Sequence, residues 1–175
     1  MRRLHIGGRQ PAPGWEILDA MERAGVNHVC DARDLSRFAD GTFDVIYASH
    51  VVEHFDFMNE LQEALADWRR TLVTGGTLYV SVPDLDTLAE LFLLRESLTR
   101  DDRWMVMRMM FGGHMDKFDY HLSGLNEEFL THFLTHAGFV DIQRVQGFGL
   151  FDDTSNMLFK GVPISLNLIA KTPGS

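Results

Sequence analysis

The chain has 175 residues, 45% of them hydrophobic, with a formal net charge of -9 at pH 7. That size and composition suit one domain with a full core, and the acidic balance argues against a nucleic-acid backbone as the main partner. No apolar run is long enough to span a membrane. Met1-Arg2-Arg3 is expected to lead into a strand and glycines, not into a signal-peptide core. The single cysteine, Cys30, excludes an internal disulfide and fits a reducing cytoplasm.

In chain order, Arg3 to Ile6 is predicted as a short strand ending at Gly7-Gly8. Pro11, Pro13 and Gly14 leave little room for helix before the next apolar run. Trp15 to Leu18 is the second strand, closing on Asp19, and Ala20 to Ala24 has the length of one helical turn, stopped by Gly25. Val26 to Cys30 is the third strand, closing on Asp31, and Asp40-Gly41 marks a turn. Phe43 to Ala48 is almost wholly apolar, broken only by Asp44, as expected of a strand covered on both faces. It stops at Ser49-His50, with Glu53 and His54 close behind at the expected start of a helix. In open parallel sheets, ligands sit beyond the carboxyl ends of the central strands. These polar side chains therefore stand where a ligand would be.

From Phe57 to Leu72 the pattern becomes helical, because Leu61, Leu65, Trp68 and Leu72 recur at three- and four-residue steps. Thr74-Gly75-Gly76 is read as the break, Thr77 to Val82 as another buried strand and Pro83-Asp84 as its end. Leu85 to Met110 is helical in composition, and Phe111 to Gly124, with glycine breaks at both ends, is read as a loop. Asn126 to Ala137 is a helix with Asn126 as cap and Gly138 as stop. Val140 to Val145 and Ile164 to Lys171 are closing strands, separated by the irregular stretch Gly147 to Pro163. This alternation predicts an α/β sheet with right-handed crossovers. Residues 1–175 form one domain in this reading, with 85–124 as a helical and loop insertion.

The ordered segments LHIGG, GWEILD, CDARDL, DGTFDVIYASHVVEHF and WRRTLVTGGTLYVSVPDL resemble the class I S-adenosylmethionine-dependent methyltransferases, in particular the compact type 11 kind. NEEFLTHFLTHAGF resembles the family's late helix. The resemblance implies a doubly wound, mostly parallel, Rossmann-like sheet of seven strands with the last antiparallel. It also implies S-adenosylmethionine laid across the carboxyl ends of the first four strands. Gly7 matches the first glycine of the cofactor loop, and Asp19 the acidic residue that holds the ribose hydroxyls. Asp31 with Ala32 matches the position facing the adenine. Ser49 and His50 match the strand exit beside the methionine part and the incoming acceptor.

Two departures stand out. The family's Gly-x-Gly reads Gly7-Gly8-Arg9 here, and a side chain at the third position either blocks the site or pairs with the cofactor's carboxylate. Only Arg9 to Gly14 separates the glycines from the second strand, whereas a parallel crossover takes about a dozen residues or more. The first crossover helix is therefore expected to be shortened or missing, and with it a helix N-terminus at the cofactor site.

Several residues carry competing readings. Asp19 and Asp31 either accept hydrogen bonds from the cofactor or simply begin turns. His50-Val51-Val52-Glu53-His54 matches the H-x-x-E-H pattern of a class of zinc peptidases. No third ligand is marked, so a metal-dependent hydrolase through His50 and His54 is the remote alternative and no metal is expected. His114, Asp116, Tyr120 and His121 lie in a loop that would serve as a lid over the acceptor, with His121 or His50 as proton acceptor. The other reading of that loop is a surface segment packing its aromatics on the core. His132 and His136 read as a solvated helix face, and the Met105 to Met110 cluster as core or a homodimer contact. The leading expectation is a cytoplasmic methyltransferase with a small-molecule acceptor. The alternative is a methyltransferase-like binding or interaction protein that has lost turnover.

Overall fold

Seven strands build one sheet: β1 (Arg3–Ile6), β2 (Trp15–Asp19), β3 (His28–Val29), β4 (Phe43–Ser49), β5 (Leu72–Pro83), β6 (Val140–Val145) and β7 (Ser165–Lys171). In the computed structural model, which describes residues 1–174, their spatial order is 3-2-1-4-5-7-6. Neighbouring strands from β3 through β5 pair in parallel, while β7 runs antiparallel to both β5 and β6. The mostly parallel sheet with a reversed last strand is thus present. β1 lies centrally, with Ile6 opposite Leu18 on one side and Ala48 on the other, so three strand ends meet in register.

Period-two alternation sends Leu4, Ile6, Leu18, Ile46, Ala48, Leu78, Val80, Leu166 and Leu168 into one continuous core. Two helices cover it: α1 (Glu60–Thr71) contributes Leu61, Ala64, Leu65 and Trp68, and the later helix of Glu127–His136 contributes Leu130 and Leu134. Asn126 caps that later helix by accepting the Phe129 amide at 2.9 Å, as its position predicts.

The opposite face has no crossover helix. His5, Trp15, Tyr47 and Tyr79 form an aromatic layer there, closed by Phe148 and Phe151 from the irregular C-terminal stretch. His5 meets Tyr47 edge-on at 4.9 Å, and Phe151 lies 4.7 Å from the Tyr47 ring. The buried Tyr47 hydroxyl is satisfied by the Asp153 carboxylate at 2.8 Å.

The first crossover lacks a helix, and so do the next two. Ala20 to Ala24 makes bends and a turn instead of the expected helical turn. Residues 30–42 are irregular, and α1 holds them by side chains. Trp68 Nε1 donates to Ala32 O at 2.7 Å, Leu35 N donates to Asp67 at 2.6 Å, and Arg70 donates to Leu35 O and Phe38 O. The backbone groups that a helix would satisfy internally are satisfied from outside.

Two further boundaries differ from expectation. Leu85 to Met110 is not one helix but α2 (Leu85–Leu93) and α3 (Arg100–Phe111), and the late helix is therefore α4. Thr99 and Asp102 form a capping box that starts α3 afresh. Thr74-Gly75-Gly76 belongs to β5, where pairing with β4 jumps from Phe43–Leu72 to Val45–Thr77 and Gly75 takes a φ of 71°. α2 and α3 pack with Ile164 and the hairpin of Leu158–Phe159 and Val162–Pro163 around a second apolar cluster. No helix among the described residues is long and apolar enough to cross a membrane.

Candidate functional site

Parallel pairing brings the strand exits side by side. Gly7 N donates to Leu18 O at 2.8 Å, Cys30 N to Asp19 O at 3.1 Å and His50 N to Ser81 O at 2.9 Å. Gly7, Gly8, Asp19, Asp31, Ala32, Ser49 and His50 therefore lie along one carboxyl edge. Gly7 has a φ of +73°, and a Cβ there would sit 2.9 Å from Val51 Cγ2, so glycine is required twice over. A Cβ on Gly8 would press on the His5 ring at 2.7 Å.

The side chains on this edge already have partners. One Asp19 oxygen accepts the Met21 amide at 2.8 Å, and the other is paired with Arg23, which also donates to Gly8 O at 3.1 Å. Asp31 is gripped by the Arg33 fork, with the shorter contact at 2.6 Å, and that grip lowers its pKa. A further Arg33 nitrogen reaches Glu60 at 2.7 Å. Arg9 is exposed. Ser49 Oγ donates to Asp153 at 3.4 Å, which ties it to the loop over the aromatic layer. Neither Arg23 nor Arg33 stood out in the sequence; the only available signal was their spacing of four and two residues from the acids.

At the β4 exit the backbone turns sharply. His50 has a φ of 54°, and a single 3₁₀ turn over Val52–His54 follows. His50 and His54 are therefore not spaced on a regular helix, as the H-x-x-E-H reading would require. His50 Nε2 meets Ser165 Oγ at 2.8 Å, and that hydroxyl donates to Thr154 O at 2.8 Å. The imidazole therefore carries its proton on Nε2, and Nδ1 faces Glu53 Oε1 at 3.5 Å. Burial lowers the His50 pKa to about 3, reinforced by His121, so the ring is neutral.

Glu53 is 1% exposed, and neither carboxylate oxygen has a hydrogen-bond partner. Burial raises its pKa to about 8. Its backbone carbonyl accepts Leu122 N at 2.8 Å and Ser123 N at 3.0 Å, which stitches the loop after α3 to this corner. Within that loop His121 Nδ1 donates to Met110 O at 3.3 Å, while His54 Nδ1 donates to Tyr120 O at 3.0 Å. Both imidazoles thus leave Nε2 free, and their rings cross at 4.9 Å. Burial lowers the His121 pKa to about 4. Glu53, His54 and His121 each bring one ligand atom to within 4.8 Å of the others.

His50 and His121 also line a cavity of about 290 Å³, together with Arg108, Met109 and Ile164. Part of the 85–124 segment thus forms a cavity wall. The His132 and His136 rings lie 4.1 Å apart, tilted at 42°, on α4, away from this corner in the sequence, and His136 is bonded to its own helix at His132 O.

A family model described as a methyltransferase domain matches residues 16–80, from β2 into β5. The chain has the class I methyltransferase fold. A S-adenosylmethionine-dependent methyltransferase from Archaeoglobus fulgidus superposes with a TM-score of 0.60 at 18% identity, over 98% of this chain and 86% of that one. The N-methyltransferase NodS from Bradyrhizobium japonicum, solved with S-adenosylhomocysteine, gives 0.57 at 16% identity, over 98% and 78%. The CurJ carbon methyltransferase gives 0.57 at 18%, over 99% of this chain but 48% of that one, so the chain spans about half the length of that match. No curated protein matches in sequence.

Proposed function

We propose that the protein transfers a methyl group from S-adenosylmethionine to a small-molecule acceptor. The observation that carries this reading is the placement of Gly7, Asp19, Asp31 and His50 at neighbouring carboxyl ends of the 3-2-1-4 strands. The edge fits the cofactor: Gly7 leaves the backbone bare, exposed Arg9 leaves it unobstructed, and two carboxylates offer acceptors for ribose hydroxyls and an adenine amine. When bound, the cofactor supplies an activated methyl group on a sulfonium. The chain's own part is positioning. Asp19 would hold the ribose once Arg23 gives way, and Asp31 with Ala32 would flank the adenine.

The acceptor would enter the cavity beside His50, under the wall formed by the 85–124 segment. His50 Nε2 is committed to Ser165, so its part is to shape the pocket. His121, neutral and with Nε2 free, is the better proton acceptor. A homodimer through the exposed Trp104 and Met105 of α3 belongs to the same proposal, and size-exclusion chromatography tests it.

A second reading, a ligand-binding protein without turnover, is favoured by the arginines that already occupy Asp19 and Asp31. Calorimetric titration with S-adenosylmethionine and S-adenosylhomocysteine separates the two. Binding weakened by Asp19→Ala supports the methyltransferase reading, and absence of binding to wild type removes it. Binding with no transfer to any of a panel of hydroxyl and amine acceptors leaves the second reading.

A further inference from the structure

The Glu53 corner is costly as it stands. A fully buried carboxyl with both oxygens unpaired is destabilising whether ionised or neutral, because neither form has its hydrogen bonds. Its surroundings are not random. His54 and His121 each donate Nδ1–H to a backbone carbonyl, Tyr120 O and Met110 O. That arrangement fixes the tautomer that leaves Nε2 as a lone-pair donor, and it is the usual support of a metal-ligating histidine. The carboxylate and one nitrogen of each imidazole meet within 4.8 Å, on two segments that Leu122 and Ser123 lock together by backbone hydrogen bonds to Glu53 O.

We propose that Glu53, His54 and His121 bind one divalent transition-metal ion, zinc foremost. Two imidazoles and a carboxylate are a zinc ligand set that leaves a fourth position for water or another oxygen. Ligand bonds of about 2.0–2.2 Å place neighbouring donors roughly 3.4 Å apart in a tetrahedron. The observed spread closes to this by shifts on the order of 1 Å in side chains alone. His50, with Nδ1 at 3.5 Å from Glu53 Oε1, stands beside the carboxylate as a third imidazole. The ion would pin the loop after α3 to the β4 exit and so set the cavity wall that His121 forms.

Zinc on His121 would take its Nε2 from the proton-acceptor role proposed for it and leave the transfer to positioning alone. The test involves no methyl donor, so failure of zinc binding and failure of methyl transfer are read separately. Chelator-stripped protein is titrated with zinc chloride against a chromophoric chelator, with thermal unfolding followed in parallel. One zinc per chain and a raised unfolding midpoint are expected. Glu53→Gln, which preserves shape, and His121→Ala should each weaken zinc by at least roughly a hundredfold, the upper end of what losing a mere supporting partner costs. Both should abolish the thermal shift while keeping the far-ultraviolet circular dichroism. His132→Ala/His136→Ala, which removes the exposed pair on α4, should bind as wild type does. Substoichiometric zinc in wild type overturns the site. So does binding that survives Glu53→Gln, or that disappears with His132 and His136.

Discussion

Arg23 makes the sharpest prediction about the carboxyl edge. Its guanidinium pairs with the Asp19 oxygen that a ribose would need and also donates to Gly8 O. The two side chains are 29% and 12% exposed, between a solvated surface pair and a buried one. A surface pair is worth about 0–1 kcal/mol and a charge-assisted hydrogen bond about 1.5–3 kcal/mol, so breaking this contact costs about 1–2 kcal/mol. If the cofactor must displace Arg23, that cost is subtracted from its affinity. Arg23→Ala should then tighten S-adenosylhomocysteine by roughly five- to thirtyfold, measured by isothermal titration calorimetry. Added salt should narrow the gap, because the wild-type pair is partly screened. Weaker binding in Arg23→Ala would mean that the guanidinium contacts the ligand. An affinity within twofold of wild type would mean that Asp19 does not hold the ribose. Either result refutes the displacement argument.

Three further expectations concern stability. Glu16 is held to a pKa of about 2 chiefly by its hydrogen bond to Arg2, with His28 assisting. Its folded value lies below the unfolded one, so its contribution is present above about pH 4.5 and lost as pH falls towards 2. Glu16→Gln should therefore lower stability at neutral pH by about 1 kcal/mol, since the pair is partly solvated. In chemical denaturation the penalty should vanish near pH 2, and a constant penalty would contradict the linkage. Trp68→Phe removes the donor to Ala32 O from a fully buried position and should cost about 1–3 kcal/mol by urea unfolding. Unchanged stability would show that the Trp68 bond does not hold residues 30–42 in place. Gly112→Ala would force a Cβ onto the Asp119 carbonyl at a φ of +88°, 3.1 Å from His121 N. A loss of about 1–3 kcal/mol in the same assay and weaker zinc binding are expected, and wild-type behaviour in both would argue against a rigid loop.

The sheet was legible because burial imposes a period. The apolar runs of β4 and β7 and the three- and four-residue steps of α1 place these elements within a few residues of their observed ends. Legibility fails where side chains replace regular structure. Residues 30–42 show no period because Trp68, Asp67 and Arg70 satisfy their backbone from another element. The split between α2 and α3 is hidden because Thr99 and Asp102, a helix start, lie between two Leu-, Phe- and Met-rich stretches that both read as helix. The carboxyl edge follows from strand ends alone, so Gly7, Asp19 and Asp31 are placed by topology. Their arginine partners depend on the turns that replace the crossover helices. Glu53 and His54 are neighbours in the chain, yet His121 joins them only through a long-range contact with no local signature.

With no helix after β1, β2 or β3, no helix N-terminus follows the exits that carry Gly7, Asp19 and Asp31, and the attraction it would exert on a ligand's negative groups is absent there. Recognition there falls to side chains, and those side chains, Asp19 and Asp31, already have arginine partners that any ligand must replace or recruit. The same absence leaves the sheet face behind β1 and β4 to be closed by the 146–156 stretch, whose Phe148 and Phe151 pack on Tyr47 while Asp153 reaches Tyr47 and Ser49. Thr154, in that stretch, accepts the Ser165 hydroxyl that fixes the His50 tautomer. A segment recruited to bury an aromatic layer therefore also orients the imidazole at the cavity. Core closure and site geometry on this side of the sheet are one structural event, and a substitution such as Phe151→Ala acts on both through the same loop.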